Sequence, residues 1–409
     1  MKRIIYLIFC ILLTNGTWSQ DLHVGSGAAI TTLPGGVLFA GSNVSVDAAA
    51  SLVTTSDATA SGSFIVSGST AGNITYKRYI NDDNWHLVSA PVTNQDIPTF
   101  VGVAGNAVTF NGDNDNHAVS YYKNTNAAGN RWTYHNTVNT APENQETLTS
   151  FIAGQGYSMK RTAAGNYTFT GTMANADVSV TIPTTTTTDA GHLWSAIGNP
   201  FPSFLSVGSV LTVANLDALG GAFTALYVWD ATANAGEGAY TVLNKTADLS
   251  QLIAPGQAFM VRANGDGKTF VFSKASQQHN SGVATFYKSS ASTPTISVHL
   301  TNGTSNKSAD LEFLDSSTTG LDVGYDAGAY QDGTPTFSIN THLLSDSQGI
   351  DFTRQSLPIS SLDSEVSIPL SMNASINEEV TFSVDTNNLP DGVSVYLEDA
   401  LNNTFTNLT

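Results

Sequence analysis

An internal duplication constrains the fold of this chain more than any other feature of its sequence. Two short segments each occur twice, in the same order and about a hundred residues apart. They are residues 86–90 (His-Leu-Val-Ser-Ala) with 192–196 (His-Leu-Trp-Ser-Ala), and residues 154–157 (Gly-Gln-Gly-Tyr) with 256–259 (Gly-Gln-Ala-Phe). An aromatic, strand-like segment lies between the two markers in each copy, at residues 119–122 and 225–229. The pattern predicts two homologous modules in one chain.

The first residues have the form of a secretory signal peptide. A basic start at residues 1–3 precedes an apolar run at residues 4–13, and Thr17 and Ser19 are small residues suited to cleavage. The apolar run is too short to cross a membrane, which takes about 20 residues. The sequence therefore predicts a signal peptide over residues 1–19 and a mature chain without a transmembrane segment, located outside the cell or on the outer-membrane surface.

Cysteine content and charge exclude several kinds of site and partner. Cys10 is the only cysteine and lies in the predicted signal peptide, so the mature chain can form no disulfide and no cysteine-bound metal site. The formal net charge is −18, and no basic patch interrupts it, which argues against a nucleic-acid partner. Only 12% of the residues are charged, against about a quarter in ordinary globular proteins.

Strand-sized apolar segments separated by small-residue turns run along the mature chain and predict an all-β, multidomain fold. Residues 20–78 carry short apolar pairs spaced by Gly, Ser and Ala. This is typical of a short β-solenoid-like lead-in, with a flexible linker as the alternative. Residues 79–181 and 182–275 are the two homologous, β-sandwich-like modules. A short helix near residues 203–213 is the only helix that the sequence predicts.

The last part of the chain, residues 276–409, alternates apolar and polar residues more regularly. Ile296, Val298 and Leu300 alternate with Ser297 and His299, as expected for a strand that is buried on one side. The same alternation returns near residues 380–384 and 393–397. About 110 residues of such strands is the size of a β-sandwich. We therefore expect a C-terminal antiparallel β-sandwich.

Several motifs stand in an order that resembles one family of bacterial proteins. They are residues 72–79 (Gly-Asn-Ile-Thr-Tyr-Lys-Arg-Tyr), 85–89, 197–203 (Ile-Gly-Asn-Pro-Phe-Pro-Ser), 253–259, 320–328 and 395–399. The chain resembles the secreted cell-surface proteins of Bacteroidetes, flavobacteria especially, that the type IX secretion system exports and that carry a type A sorting domain. The resemblance extends over nearly the whole mature chain, and its motifs have no assigned chemistry.

The resemblance also implies something about the C-terminus. In that family a β-sandwich is followed by a C-terminal sorting domain, whereas this sequence stops at residues 402–409, inside the predicted sandwich. We therefore expect that the sandwich is truncated and that the sorting domain is missing from this sequence. The expected partner is the type IX secretion machinery, reached through that missing domain.

The sequence predicts no catalytic residues. His86 and His192 occupy matching repeat positions, but each lies in an apolar strand without a carboxylate at a fixed nearby spacing. A packed histidine bonded to the backbone is therefore favoured over a paired ligand. No His-Glu-x-x-His and no Gly-x-Ser-x-Gly motif occurs. A triad of distant residues, or the paired carboxylates of a glycosidase, would not be visible in the sequence.

Two acidic loops are candidate calcium sites, and no other cofactor is expected. Residues 111–116 place Asp113 and Asp115 at alternating positions, as oxygen ligands of Ca²⁺ often are. Asp322 and Asp326 flank a glycine and form the second candidate. Two further aspartates, Asp310 and Asp332, are expected near that second site. The alternative in both loops is turn chemistry, since Asp and Asn favour turns in any case.

Aromatic residues in the loop-rich middle of each module are candidate sugar-binding residues. They are Trp132, Tyr134, Trp229 and Tyr240. The alternative is that these rings belong to the cores of the modules. Gly154 and Gly256, each followed by glutamine, are expected to serve a backbone turn with positive φ.

Taken together, these patterns predict a secreted or cell-surface structural or adhesion protein of a Bacteroidetes bacterium, without catalytic activity. Its expected partners outside the cell are a polysaccharide or another surface protein. One alternative is a carbohydrate-binding accessory module that uses the loop aromatics. The other is an extracellular hydrolase whose catalytic part lies outside this chain.

Overall fold

The computed structural model describes residues 21–138, 140–182, 191–233, 236, 238–245, 248–280, 293–333, 335–345 and 349–409. The predicted signal peptide at residues 1–19 lies outside the described residues. Strands dominate these ranges, with only short helices between them. The all-β, multi-sheet prediction is therefore confirmed. No helix in the described ranges is long and apolar enough to cross a membrane.

The N-terminal segment is a small parallel solenoid. Its strands are β1 (Leu22–Val24), β2 (Ala29–Thr32), β3 (Val37–Ala40), β4 (Val44–Val46), β5 (Ser51–Thr55), β6 (Ser63–Val66), β7 (Thr70–Ala71) and β8 (Ile74–Ile80). They pair in parallel as β1–β4–β7, β2–β5–β8 and β3–β6, so that Leu22, Val44 and Thr70 lie side by side on successive coils. Glycine turns link the strands. At Gly72 (φ 84°) an added Cβ would lie 2.0 Å from the Val46 carbonyl oxygen, so this corner admits only glycine.

The first module combines a sheet of its own with one face of the solenoid. Its elements are β9 (Trp85–Ser89), α1 (Ile97–Gly102), β10 (Phe110–Asn111), β11 (Asn116–Tyr122), β12 (Trp132–His135), β13 (Gln145–Glu146), β14 (Gly156–Lys160) and β15 (Gly165–Gly171). The sheet has the order β13–β12–β11–β14–β9, while β15 pairs antiparallel with β8 of the solenoid. Phe64 of the solenoid and Val119, Tyr157 and Phe169 of the module belong to one core. Residues 78 and 79, the predicted boundary, lie within β8.

The second module repeats this arrangement. Its elements are β16 (Val178–Thr181), β17 (Trp194–Gly198), β18 (Leu205–Ser206), α2 (Val207–Val210), α3 (Val213–Leu219), β19 (Leu226–Asp230), β20 (Ala239–Leu243), β21 (Leu252–Ile253), β22 (Ala258–Arg262) and β23 (Thr269–Phe272). The order β17–β22–β19–β20 matches β9–β14–β11–β12, and the pair β16–β23 matches β8–β15. The two copies of the duplication thus share one strand order, and their matching strands begin at β8 and β16. The predicted helix near residues 203–213 is α2.

The pairing corrects the alignment of the two copies. In the first module Ser89 lies opposite Gly156, and in the second module Gly198 lies opposite Ala258. Gly198, not Ser195, is therefore the counterpart of Ser89, and Trp194 is the counterpart of Trp85. The expected equivalence of the two repeat histidines is wrong, because His192 precedes β17 instead of lying in it.

The C-terminal part is a sheet with a hairpin over one face. Its strands are β24 (Thr295–Thr301), β25 (Asn306–Leu314), β26 (Ala327–Gly328), β27 (Ser338–Thr341), β28 (Phe352–Pro358), β29 (Leu370–Asn373), β30 (Thr381–Asn387), β31 (Tyr396–Asp399) and β32 (Thr404–Asn407). The order is β29–β27–β28–β25–β24–β30, and β26 also pairs with β28. Pairing is antiparallel as expected, except that β25 and β28 run parallel. The core lies on the face formed by Ile296, Val298 and Leu311.

Candidate functional site

The two modules contact each other through matched positions of the duplication, and we name this contact the joint. The N–H of Ser89 donates to the carbonyl oxygen of Gly256 (3.0 Å), and the N–H of Gly198 donates to that of Gly154 (2.9 Å). Because Ser89 corresponds to Gly198, and Gly256 to Gly154, the same hydrogen bond is made twice in opposite directions. The joint therefore has the reciprocal character of a two-fold interface, although both halves belong to one chain.

The repeated Gly-Gln turn is the element that makes this joint. The backbone is left-handed at Gly154 (φ 80°) and Gly256 (φ 70°), which confirms the predicted positive φ. Gln155 forms a strand bridge to Ile197 of the second module, and the equivalent glutamine of the second module makes the reciprocal bridge. What looked like a turn signal within each module thus also connects one module to the other.

An aromatic layer fills the space between the two module sheets. Its buried members come from both modules and from the C-terminal part, and they are Tyr122, Trp194, Ala196, Ala225, Tyr227, Val242, Met260 and Ala327. Trp194 packs edge-on against Tyr227, with the ring centroids 4.8 Å apart, and at the same distance against Tyr330. The layer excludes water over a continuous apolar surface and joins three parts of the chain.

Three of the four predicted sugar-binding residues belong to this layer or to its edge. Trp132 packs edge-on against Tyr122 (5.4 Å between centroids), and Tyr240 packs against Trp229 (5.0 Å). The Trp229 indole N–H donates to the carbonyl oxygen of Trp85 (2.9 Å). Trp132, Trp229 and Tyr240 are therefore half-buried packing residues of the module joint. Trp229 also lines a cleft of about 330 Å³ between the solenoid and the two modules. The fourth candidate, Tyr134, lies elsewhere.

A separate cleft of about 470 Å³ opens beside the aromatic layer, and we name it the Trp85 cleft. Trp85 of β9 and Tyr134 of β12 contribute aromatic rings whose centroids lie 5.9 Å apart. Amide side chains supply most of the polar lining; they are Asn111, Asn114, Asn116, Asn144 and Gln145. The Thr109 hydroxyl also lies there, buried and without a hydrogen-bond partner among the described residues.

The Trp85 cleft is close to neutral although the chain is strongly acidic. None of the described residues that line it carries a carboxylate, and Lys160 is the only lysine or arginine among them. Burial lowers the pKa of His117, so its imidazole is neutral at pH 7. Burial raises the pKa of Tyr134, which keeps the phenol protonated. The cleft therefore offers amide donors and acceptors beside aromatic faces, with one positive charge at its side.

The first candidate calcium loop is a turn next to this cleft. The Asn111 side chain accepts a hydrogen bond from the N–H of Asp113 (3.0 Å), and Asp115 adopts a left-handed conformation (φ 58°). Both features belong to an Asx-type turn between β10 and β11. In the part of the chain that the structure describes, no three His, Cys, Asp or Glu side chains are grouped so that they could hold a metal ion.

In the second candidate loop the carboxylates accept hydrogen bonds from the protein itself. Asp322 accepts from the N–H (2.6 Å) and hydroxyl (3.0 Å) of Thr318. Asp326 accepts from the N–H groups of Asp322 (2.7 Å) and Ser356 (2.6 Å). Burial raises the pKa of Asp326 to about 7, against the effect of these two N–H donors. Of the neighbouring aspartates, Asp310 accepts from Ser297.

This loop attaches the C-terminal part to the second module. The N–H of Gly324 donates to the hydroxyl of Thr224 (2.7 Å), and the hydroxyl of Tyr227 donates to the carbonyl oxygen of Gly328 (2.6 Å). Asp332, which follows the loop, pairs with the buried Arg131 of the first module. The acidic residues that suggested calcium thus shape the segment of residues 318–328 that attaches the C-terminal part, and we name this segment the docking loop.

A buried ion cluster reinforces the same attachment, and no sequence pattern indicated it. Arg354 of β28 lies 3.1 Å from Asp248 of the second module and 3.4 Å from Glu312 of β25, and all three side chains are buried. Burial raises the pKa of Glu312. For Arg354, burial lowers the pKa, but the two carboxylates outweigh burial and the net shift is upward. Alternation does place Asp310 and Glu312 on one face of β25, yet it cannot name partners on other strands.

The repeat histidine of the first module has a carboxylate partner, contrary to expectation. His86 Nε2 lies 2.7 Å from Asp82 Oδ1, and both side chains are about four-fifths buried. The partner precedes His86 by one short turn, so the spacing was available in the sequence. His192 is differently placed, and its carbonyl oxygen accepts a hydrogen bond from the Asn124 side chain (2.8 Å). The two histidines therefore do not form a matched pair of functional groups.

Comparison with known proteins identifies a family but no activity. Neither the curated proteins nor the solved structures contain a significant match to this chain. A family model described as "Domain of unknown function (DUF8693)" matches residues 10–409. Because this match extends over nearly the whole sequence, the chain belongs to the DUF8693 family.

Proposed function

We propose that this chain is a non-catalytic structural or adhesion protein that acts outside the cell or on its surface. In this proposal a signal peptide and the type IX secretion machinery of a Bacteroidetes bacterium export it. The observation that carries the proposal is the joint between the two modules, where matched backbone hydrogen bonds and a shared aromatic layer hold the sheets together.

The joint supports a structural role because it leaves little freedom for the modules to move. Domains of one chain usually move relative to each other when their interface is small and polar. Here the interface is apolar and continuous, and the solenoid shares its core with the first module. The docking loop and the Arg354 cluster extend the same rigid connection to the C-terminal part. Such a body can present a surface at a fixed distance and orientation.

The rival role as a carbohydrate-binding accessory module stays a prediction. Three of its four aromatic residues, Trp132, Trp229 and Tyr240, make packing contacts at the joint and are half-buried there. The extracellular hydrolase remains a prediction from the sequence alone, because no observation on the described residues favours it.

The experiment compares two glycine variants in the source bacterium and in purified protein. At Gly198 an added Cβ would lie 2.7 Å from the Cβ and the hydroxyl oxygen of Ser89 across the joint, so Gly198→Leu should force the modules apart. Gly102→Leu is the control, since nothing lies within 4 Å of a Cβ at that position.

We expect the parent and the control to label with antibody on intact cells or in the medium, and to restore surface attachment to a deletion strain. Gly198→Leu should be exported, lose attachment, and show a larger radius of gyration by small-angle X-ray scattering. Detection of the parent only in the cytoplasm, or full attachment by the separated variant, would contradict the proposal.

A further inference from the structure

We propose that the Trp85 cleft binds a neutral polysaccharide chain through aromatic stacking and amide hydrogen bonds. The inference rests on the proposed surface role and deepens it, because it gives that role a class of ligand. The site overlaps in part with the one that the sequence suggested, since Tyr134 belongs to both, whereas Trp85 takes the place of the aromatic residues of the joint.

The aromatic half of the site comes from the sheet topology. Trp85 lies on β9 and Tyr134 on β12, and β14 and β11 lie between these two strands in the sheet. Their rings nevertheless approach to 5.9 Å at an interplanar angle of 67°, so they form a corner with two faces. The C–H face of a pyranose ring is apolar and packs on such rings, whose polar tips remain free to form hydrogen bonds.

The polar half of the site suits hydroxyl groups. Each amide side chain offers donors and an acceptor, and a sugar hydroxyl both donates and accepts. The side chain of Asn144 has no hydrogen-bond partner among the described residues, and neither has the buried hydroxyl of Thr109. Asn144 is half-buried, so its amide is available to a bound molecule. A volume of about 470 Å³ lies within the range of about 300–1,000 Å³ that is usual for small-ligand sites.

Charge distinguishes a neutral sugar chain from an acidic one. The described lining contains no carboxylate, so a neutral ligand meets no buried charge that must be compensated. The adjacent turn carries Asp113 and Asp115, and the whole chain has a net charge of −18. This field repels polyanions such as polyuronic acids. Lys160 alone does not reverse it.

The test is isothermal titration calorimetry of the full chain with a defined panel of probes. The neutral probes are the hexasaccharides of β-1,4-glucose, β-1,4-xylose, β-1,4-mannose, α-1,4-glucose and N-acetylglucosamine, and the acidic probe is hexagalacturonate. We expect saturable binding of at least one neutral probe. Tyr134→Ala should weaken that binding about tenfold by removing one ring face.

Two further variants keep the test decisive if Tyr134→Ala misfolds. Asn144→Ala removes only an unpaired amide and should weaken binding about threefold or more. Tyr396→Ala is the control, because Tyr396 is an exposed ring of the C-terminal hairpin and does not line the cleft. Its affinity should equal that of the parent.

Three outcomes would overturn the inference: no binding of any neutral probe, tighter binding of hexagalacturonate, or binding that neither cleft variant weakens. These outcomes would leave the joint between the modules untouched. A failure of the cleft is therefore distinguishable from a failure of the proposed structural role, which the Gly198→Leu comparison tests separately.

Discussion

Individual residues decide how the modules are joined, and Gly154 is the most sensitive of them. Its φ of 80° is unfavourable for residues with a Cβ. An added Cβ would also lie 2.6 Å from a methyl group of Val180, a β-branched side chain with little freedom to move. Position 154 thus combines a conformational and a steric requirement for glycine.

A comparison of two glycines separates these requirements. Gly221 also has positive φ (60°), but nothing lies within 4 Å of a Cβ there. Gly221→Ala should therefore lower the free energy of unfolding by about 1 kcal/mol through backbone strain alone. Gly154→Ala should lower it by about 3 kcal/mol, since overpacking is added. Denaturant titration at one pH measures both, and equal losses would show that the contact with Val180 is unimportant.

A buried histidine makes stability depend on pH. The ring of His135 is 1% exposed, and its Nδ1 accepts a hydrogen bond from the N–H of Leu148 (3.2 Å), which requires an unprotonated Nδ1. Burial lowers the pKa of His135 to about 4. Between pH 4 and 6.5 the unfolded chain binds a proton that the folded chain does not, so stability falls as the pH falls through this window.

His135→Asn should remove this dependence, because asparagine keeps an acceptor in the position of Nδ1 and does not titrate. We expect His135 to account for a loss of up to about 3 kcal/mol from pH 6.5 to pH 4 in the parent. The variant should show a smaller loss in denaturant titrations over the same range. Parallel stability curves for the two proteins would contradict the assignment.

Sequence patterns predicted the conformation of single residues well where local backbone geometry alone determines it. The positive φ of the two repeat glycines follows from the Gly-Gln turn, and both are confirmed. The pairing of His86 with Asp82 was readable from their spacing but was missed, because a turn and not a helix brings them together. The beginning of α1 was readable too. Asp96 caps it with a 2.7 Å hydrogen bond to the N–H of Thr99, and proline follows in the first turn.

At the scale of elements, periodicity predicted the strands but not the way they are shared. Alternation marked β24 and β30, and regular short apolar pairs marked the solenoid. No local sequence pattern could show that β8 belongs both to the solenoid and to the first module. On one edge β8 pairs in parallel with β5 of the solenoid, and on the other it pairs antiparallel with β15 of the module. Such sharing depends on contacts between residues far apart in sequence, which a local pattern does not contain.

The docking loop at residues 318–328 yields a prediction about calcium at the same scale. Asp322→Ala should lower stability by about 1 kcal/mol, since it frees the N–H and hydroxyl of Thr318. Because hydrogen bonds within the protein already occupy both carboxylates of the loop, we expect EDTA and added Ca²⁺ to leave the melting temperature of parent and variant unchanged.

The control for this loop is Asp315→Ala, which removes an exposed acid nearby without touching the loop hydrogen bonds. It should melt like the parent. A fall in melting temperature on chelation that occurs in the parent but not in Asp322→Ala would establish a calcium site at Asp322 and refute the assignment of this loop to docking alone.

At the scale of the whole molecule, the candidate site could be predicted only in part. Tyr134 is among the aromatic residues that the sequence singles out, but the residues around it meet only through the assembled topology. Trp85 and Tyr134 carry no mutual spacing signal, and Arg354 finds its carboxylates on another strand and in another module. The duplication indicated two modules but not how they face each other. That arrangement depends on side chains that look like ordinary core residues in sequence.

The Arg354 cluster leads to a prediction about how the parts unfold. Arg354→Met would leave Asp248 and Glu312 buried without their cation, which typically costs about 3–5 kcal/mol. This loss falls on the contact between the second module and the C-terminal part. We therefore expect the C-terminal part to unfold before the modules in the variant, whereas the parent should unfold in one transition.

Two spectroscopic probes can separate these events. The tryptophans of the described residues all lie in the modules, at positions 85, 132, 194 and 229, and far-ultraviolet circular dichroism reports every strand. Most of the fluorescence change therefore reports module unfolding, with a contribution from Trp194 when its contact with Tyr330 of the C-terminal part is lost. In the parent the two signals should change together, and in Arg354→Met circular dichroism should change at lower denaturant. Lys123→Met removes an ion pair whose side chains are 37% and 45% exposed, and it should cost less than about 1 kcal/mol and keep the signals coincident. Coincident transitions in Arg354→Met would mean that the aromatic layer and the docking loop couple the parts without the buried ions.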